Sequence, residues 1–267
     1  LRPFLLRGAS GCGKTEVARR TSRRRGKHFV RLAASVLKSG EDVIALLNEI
    51  PNGSTVLIDE CHTLSAKPEA VIYDITSNGF KDQDGKAKEF FFMFATNLSG
   101  KLADALKNRC TELKLKDYTE SELSTIAELT AKDNGVSLES GVSEYIAKRS
   151  HGVARYAVEY CKDIIIETAA DKQAVTLADT KEFFARRGID GLGLKDEHRQ
   201  YVRQLAALGQ ASSHSLAAAL GENDVTEVQK SIEPLLLKHG LIAISSRGRY
   251  LTAQGQSYAQ ALLQKGA

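Results

Sequence analysis

Cysteine is sparse and dispersed in this chain. Cys12, Cys61, Cys110 and Cys161 are the four thiols in 267 residues, and they stand singly, with no C-x-x-C and no Cys/His pair. That spacing suggests neither a zinc site nor a disulfide framework, so the cysteines are expected to be reduced and structural. Only Cys12 lies in a loop with its own chemistry, where a small filler side chain is favoured over a modification-sensitive thiol. Long apolar runs are missing as well. No stretch approaches the ~20 residues needed to span a bilayer, and the N-terminus has no charged-then-apolar export signal. A cytoplasmic chain without membrane contact is expected.

What remains is an ordinary globular composition, 42% apolar, with a length that suits one large domain or two to three small ones. The net charge of +4 is modest but unevenly placed. Its densest positive run, "RRTSRRRGKHFVR" from Arg19 to Arg31, falls at the end of a helix and in the following loop. Cations there complement the helix dipole, and a solvated face is the simpler reading beside a polyanion contact.

Near the start, "RGASGCGKTEVARR" fits G-x-x-x-x-G-K-[ST] through Gly8, Gly13, Lys14 and Thr15. It follows a short apolar run, Phe4 to Leu6, and opens a helical pattern, which is the context a phosphate loop requires. The glycines, Gly11 among them, allow a tight turn whose N–H groups point inward, reinforced by the positive end of the helix. Lys14 is expected to neutralise β- and γ-phosphate charge and Thr15 to ligate Mg²⁺. Glu16, next in the helix, is counted with the nucleotide-binding residues.

Apolar runs and helical patterns then alternate. Phe4–Leu6, His28–Leu32, Thr55–Ile58, Phe90–Ala95 and Glu112–Leu115 read as strands. Helices are expected at Lys14–Arg24, Asp42–Ile50, Pro68–Ser77 and Leu102–Asn108. Such alternation implies an α/β core with a parallel five-stranded sheet covered by helices. From Thr119 the period changes to helices alone, at Thr119–Asp133, Leu138–Ser150, Val153–Ala170 and Thr176–Arg186, a small helical lid. The glycine-rich "RRGIDGLGLKD" from Arg186 to Asp196 reads as a linker. Three further helices, Glu197–Leu208, Ser213–Leu220 and Val225–Leu237, lead into two strands, Leu241–Ser245 and Arg249–Thr252, around "SRG". That order describes a winged helix-turn-helix. The expected domains are therefore 1–116, 117–190 and 191–267.

The strand "TVLIDECH" ends in two carboxylates. Asp59 is placed to hold the Mg²⁺ shell and Glu60 to polarise the attacking water. The strand "FFFMFATN" ends at Asn97, a candidate hydrogen-bond partner for the γ-phosphate or that water. "ALKNRC" puts Arg109 at a helix end before the fifth strand. Two readings stay open for it: a helix C-terminal cation, or an arginine finger reaching a neighbouring subunit's nucleotide.

In this order, phosphate loop, "DECH", Asn97, Arg109, helical lid and winged helix, the chain resembles the AAA+ ATPases, and among them the RuvB family of Holliday-junction branch-migration motors. "IAKRSHGVARYAVEY" is similar to the family's lid motif, which implies that Arg155 contacts nucleotide as sensor 2. "LAAALGENDVTEVQKSIEPLLLKHGLIAISSRGRYLT" is similar to its winged helix, including the Glu-Pro of the third helix and the "RGR" of the wing. The resemblance spans about Phe4 to the end. It implies ATP and Mg²⁺ as ligands, a hexameric ring, and DNA, four-way junction or duplex, as partner.

There are departures. The upstream segment that helps hold adenine in the family is not in this sequence, and weaker nucleotide affinity is the corresponding expectation. "NGFKDQDGKAKEFFF" is shorter than the family's hairpin region, which weakens the expectation of a RuvA-like junction-binding partner. Val153 and Ala154 replace Thr-Pro, and Leu98 replaces an Arg after sensor 1.

The third helix of the winged unit carries Asp224, Glu227 and Glu233 against Lys230, with Glu222 before it, a poor reader of a groove lined by phosphates. The wing carries Arg247 and Arg249, with Lys238 and His239 nearby, so backbone contact through Arg247 and Arg249 is expected. The resemblance thus implies an ATP-driven motor of RuvB type acting on a Holliday junction or duplex DNA. A protein-remodelling or loader ATPase, and an ATP-gated assembly module, are the alternatives.

Overall fold

The computed structural model describes residues 2–98, 102, 104–168, 174–222 and 224–264. The chain forms two compact units: Leu1–Thr119 together with Gly152–Arg155, and Glu120–His151 together with Tyr156–Ala267.

The first unit runs β1 (Phe4–Arg7), α1 (Lys14–Arg24), β2 (Phe29–Ala33), α2 (Gly40–Glu49), β3 (Thr55–Asp59), α3 (Ala66–Asn78), a hairpin of β4 (Phe80–Lys81) and β5 (Ala87–Lys88), β6 (Phe91–Thr96), α4 (Asp104–Arg109) and β7 (Thr111–Lys114). Five strands make one sheet in the order β2-β3-β6-β1-β7, every pair parallel. β3 and β6 are buried at every position, as strands covered on both faces must be. Leu5, Val56, Ile58, Phe92 and Phe94 pack into one core; Leu6, Leu57, Phe91, Met93 and Ala95 pack on the opposite face.

All five expected core strands form, within a residue or two at their ends. α2 starts earlier than expected because Ser39 and Asp42 build a capping box: Asp42 N–H donates to Ser39 Oγ and Asp42 Oδ2 accepts from Ser39 N–H. The hairpin β4–β5 lies in the segment read only as short; its strands pair Phe80 with Lys88 and Lys81 with Ala87. Ala103, inside the expected fourth helix, is outside the described residues.

The second unit begins with α5 (Glu120–Asp133), β8 (Ser137–Leu138), α6 (Val142–Arg149), α7 (Ala154–Thr168), β9 (Ala174–Val175) and α8 (Leu177–Arg186). The expected helix from Leu138 starts instead at Val142, because Ser137 and Leu138 pair in parallel with Ala174 and Val175. The last two residues of the expected helix Val153–Ala170 lie outside the described residues. α7 itself starts in the first unit, since its Ala154 and Arg155 belong there.

The winged helix follows: α9 (Asp196–Leu208), β10 (Gln210–Ala211), α10 (Ser213–Leu220), α11 (Val225–Glu227), a π-turn at Val228–Ile232, α12 (Glu233–Lys238), β11 (Ile242–Ser245), β12 (Gly248–Leu251) and α13 (Ala253–Gln264). The expected third helix is one continuous path with a π-turn ahead of Pro234, whose ring lacks the N–H that an α-helical ladder needs. Asn223, in the expected turn before it, is outside the described residues. Two elements were not expected. β10 pairs with β12 and makes the wing three-stranded, and α13 closes the core through Ala259 and Leu262.

Candidate nucleotide site and winged helix

The phosphate loop crosses from the end of β1 to α1 with Gly11 at φ +79° and Gly13 at φ +90°, left-handed conformations that glycine adopts without penalty. Space is tight as well as strained. A Cβ on Gly13 would meet Tyr118 Oη at 2.9 Å, and one on Gly11 would meet Val153 Cγ1 at 2.7 Å and Arg155 Cβ at 2.9 Å. Lys14 is buried. Its Nζ donates to the carbonyls of Gly8 and Ala9, both at 2.9 Å, so the ammonium is held over the loop.

Arg155 comes to this loop from far along the sequence. Its N–H donates to Gly11 O at 3.2 Å and its Nη1 to Ser10 Oγ at 3.4 Å. The Gly152 carbonyl accepts from Tyr118 N–H at 2.9 Å, which fixes the same segment from its other side. The guanidinium is exposed at the phosphate loop.

Thr15 Oγ donates to Asp59 Oδ2 at 3.4 Å, so a hydroxyl and a carboxylate converge beside Lys14. Hard oxygen donors of this kind fit Mg²⁺, which takes one or two protein ligands and completes its octahedron with phosphate and water. Among the described residues no group of three or more His, Cys, Asp or Glu could hold a metal, which leaves this small oxygen pair as the candidate. Glu16 lies apart from it, exposed, with its carboxylate 2.8 Å from Arg20 Nε one helical turn on.

Glu60 sits at φ +52°, a strained conformation for a residue with a Cβ and one that gathers at functional sites. Its N–H donates to Asp59 Oδ1 at 3.0 Å and its carbonyl accepts from Thr63 Oγ at 2.9 Å. His62 completes the arrangement: its Nδ1 is 3.3 Å from Glu60 Oε2 and 3.0 Å from Thr96 Oγ. Thr96 also accepts from Leu98 N–H at 2.9 Å, and Asn97 stands between them, exposed at the end of β6. A line of polar contacts thus runs from Glu60 to the strand end that carries Asn97.

Arg109 is not brought to this cluster. It precedes Thr111, which pairs with Phe4 at the other end of β1 from the phosphate loop. The guanidinium lies 4.5 Å from the centroid of the Tyr73 ring, and Nη2 donates to Tyr73 Oη at 3.3 Å. Arg2 caps the helix end, donating to Asn108 O and Arg109 O.

Two features of the cluster escaped the sequence reading. His62 stood in the quoted "DECH" without a role, and Arg31 was counted with a solvated basic run. Arg31 is in fact on β2, with Nη2 at 2.7 Å and Nε at 2.9 Å from Asp59 Oδ2. An arginine at an alternating position of the strand beside "LIDE" was the available signal for it. All four cysteines are free and buried. Burial pushes the Cys61 thiol up, and those of Cys110 and Cys161 to about 11, so these three stay protonated and unreactive.

In the winged helix, Arg247 is exposed at the turn between β11 and β12. Arg249 is not available in the same way. Its Nε and Nη2 bind Glu233 Oε1 at 2.8 Å and Oε2 at 3.0 Å, and Tyr201 Oη donates to Oε1 at 3.0 Å. Glu233 is 3% exposed, so this carboxylate is internal and adds nothing to the acidic surface expected of the third helix. Lys238 and His239 are also drawn away from the wing: Lys238 Nζ donates to His151 O at 2.6 Å, and His239 Nε2 lies 3.2 Å from His151 Nδ1.

A parallel sheet with a phosphate loop, a paired Asp-Glu strand end and a returning arginine defines an AAA nucleotide-hydrolysing core, here joined to a winged helix. Residues 4–118 match the model of the ATPase family associated with various cellular activities, and residues 191–260 match the RuvB C-terminal winged helix domain. Among similar proteins, the Holliday junction branch migration complex subunit RuvB of Granulibacter bethesdensis is 33% identical over 94% of this chain and 74% of its own length. That of Thermosipho melanesiensis is 30% identical over 98% of this chain and 88% of its own. The solved RuvB Holliday junction branch migration motor of Thermotoga maritima superposes with a TM-score of 0.77 at 28% identity, covering 97% of this chain and 87% of that one. The chain belongs to the RuvB family. It is a nucleotide-binding AAA ATPase.

Proposed function

We propose that this ATPase drives movement on DNA, branch migration at a Holliday junction or translocation along duplex, as a ring of like subunits. The observation that carries the reading is the convergence of Lys14, Thr15, Asp59 and Arg155 on one phosphate loop, with Glu60 next to Asp59, in a chain whose other unit bears a RuvB winged helix. In function the chain divides into a core (1–116), a helical domain (117–190) and a winged helix (191–267).

The loop glycines Gly8, Gly11 and Gly13 let backbone N–H groups surround the phosphates, and Lys14 leaves the carbonyls it bridges to meet β- and γ-oxygens. Thr15 and Asp59 would hold Mg²⁺, which when bound would neutralise phosphate charge. Glu60 orients and polarises the attacking water, and His62 positions the Glu60 carboxylate. Asn97 and Arg155 read the γ-phosphate. Arg109, remote from its own site, acts on the nucleotide of the adjoining subunit. Arg247 contacts the DNA backbone.

Replacing Glu60 by Gln tests the assignment. The variant is expected to bind a fluorescent ATP analogue as the parent does while turnover and ATP-dependent dissociation of a synthetic four-way junction fall by ~10²-fold or more. Unchanged turnover would remove Glu60 from its role. The observation that favours the alternative, a protein-directed remodeller or loader, is the single exposed arginine left on the wing.

A further inference from the structure

The cationic partner of Asp59 lies within the protein itself. Asp59 Oδ2 receives the Arg31 guanidinium through Nη2 at 2.7 Å and Nε at 2.9 Å, and the Thr15 hydroxyl at 3.4 Å. Oδ1 is taken by Glu60 N–H at 3.0 Å. The oxygen that faces Thr15, the one suited to a divalent cation, is therefore the oxygen that Arg31 covers. The two partners are unequal: the Asp59 side chain is 9% exposed and that of Arg31 57%. A nearly buried carboxylate needs a compensating charge, whereas a largely solvated guanidinium is free to swing into water at small cost.

We propose that Arg31 is a positioning residue that competes with Mg²⁺ for Asp59, so that the metal–nucleotide complex binds by displacing the guanidinium from Oδ2. This rests on the assignment of Thr15 and Asp59 as the metal-holding pair. Arg31 keeps the carboxylate compensated and oriented between turnovers, and it raises the Mg²⁺ concentration at which metal-supported nucleotide binding sets in. Two positive charges on one nearly buried oxygen repel each other, so occupancy by one disfavours the other.

The test is the affinity for a fluorescent ADP analogue, measured from EDTA through millimolar Mg²⁺ in the full chain and in Arg31→Ala, Arg31→Lys and Asp59→Asn. In Arg31→Ala the Mg²⁺ concentration for half-maximal enhancement is expected to fall roughly two- to fivefold, the range a partly exposed ion pair supports. Its affinity in EDTA should stay at the parental value. Arg31→Lys retains the charge, keeps Asp59 compensated if the Ala variant folds poorly, and should restore most of the parental dependence. A Mg²⁺ dependence unchanged in Arg31→Ala, with enhancement abolished in Asp59→Asn, would overturn the competition while leaving the metal pair intact. Enhancement that survives in Asp59→Asn would overturn the metal assignment and the competition together.

Discussion

Two residues apart on the wing, Arg247 and Arg249 meet opposite environments, and their replacements should separate binding from folding. Arg249→Ala strands Glu233 inside the winged helix with only the Tyr201 hydroxyl to bind it. Breaking a buried pair from one side costs about 3–5 kcal/mol, so urea unfolding should show a clear loss. Arg247→Ala should leave stability within about 0.5 kcal/mol. Its effect should instead appear in duplex binding, as a salt dependence reduced by about one. Equal stability of the two variants would contradict the buried assignment of Arg249. The sequence could place both arginines on the wing but not distinguish them. What separates them is the turn of the third helix that delivers Glu233 beneath the ribbon, a tertiary fact with no local pattern.

At the scale of elements, the joint between α6 and α7 carries a histidine whose titration is displaced by its surroundings. His151 is held at φ +52°, packed edge-on against His239 with ring centroids 5.3 Å apart, and its Nε2 lies 3.2 Å from Gly193 O. Burial, the His239 ring, and the Lys238 and His198 charges hold its pKa down at about 4, against an ordinary 6.5. A depressed folded value means that the unfolded chain takes up the proton first. The stability from this group is complete above pH 6.5 and drains away as pH falls toward 4, by no more than about 3 kcal/mol. His151→Asn keeps a residue that tolerates the left-handed backbone and removes the titration. Its urea midpoint should change less between pH 7.5 and pH 4.5 than the parent's; an equal change would assign the loss to other groups.

The elements also show what a sequence displays and what it conceals. The five core strands were legible because burial on both faces makes them continuous apolar runs, and the phosphate loop because glycine, lysine and threonine must occupy fixed places. α13 was concealed by Gly255. A Cβ there would come within 1.9 Å of Leu241 O, so glycine serves a backbone contact inside a helix and breaks the pattern that would announce it. β10 has two residues, and the close approach that demands Gly248, a Cβ 2.3 Å from Ala211 O, is visible only once the strands pair. Arg31 meets Asp59 28 positions away and His62 meets Thr96 34 positions away, separations that no local spacing announces.

For the whole molecule, the decisive feature is that the chain leaves its first unit at Thr119 and returns for Gly152–Arg155. The arginine at the phosphate loop thereby sits in the first turn of α7, a helix whose remainder belongs to the second unit. The proposed role of Arg109 on an adjoining subunit's nucleotide has its own test. Arg109→Ala and Lys14→Ala should each lose turnover alone, whereas a mixture should recover part of it, because a subunit with an intact phosphate loop can then receive a neighbour's arginine. No recovery at any mixing ratio would confine Arg109 to its contact with Tyr73.

The central claim is that hydrolysis is coupled to DNA. Its most direct test is ATP turnover measured with and without a four-way DNA junction and linear duplex, at low and moderate salt. The account predicts stimulation by DNA that weakens as salt rises and is diminished in Arg247→Ala. Turnover indifferent to DNA at every salt concentration would contradict it and make a protein substrate the better reading.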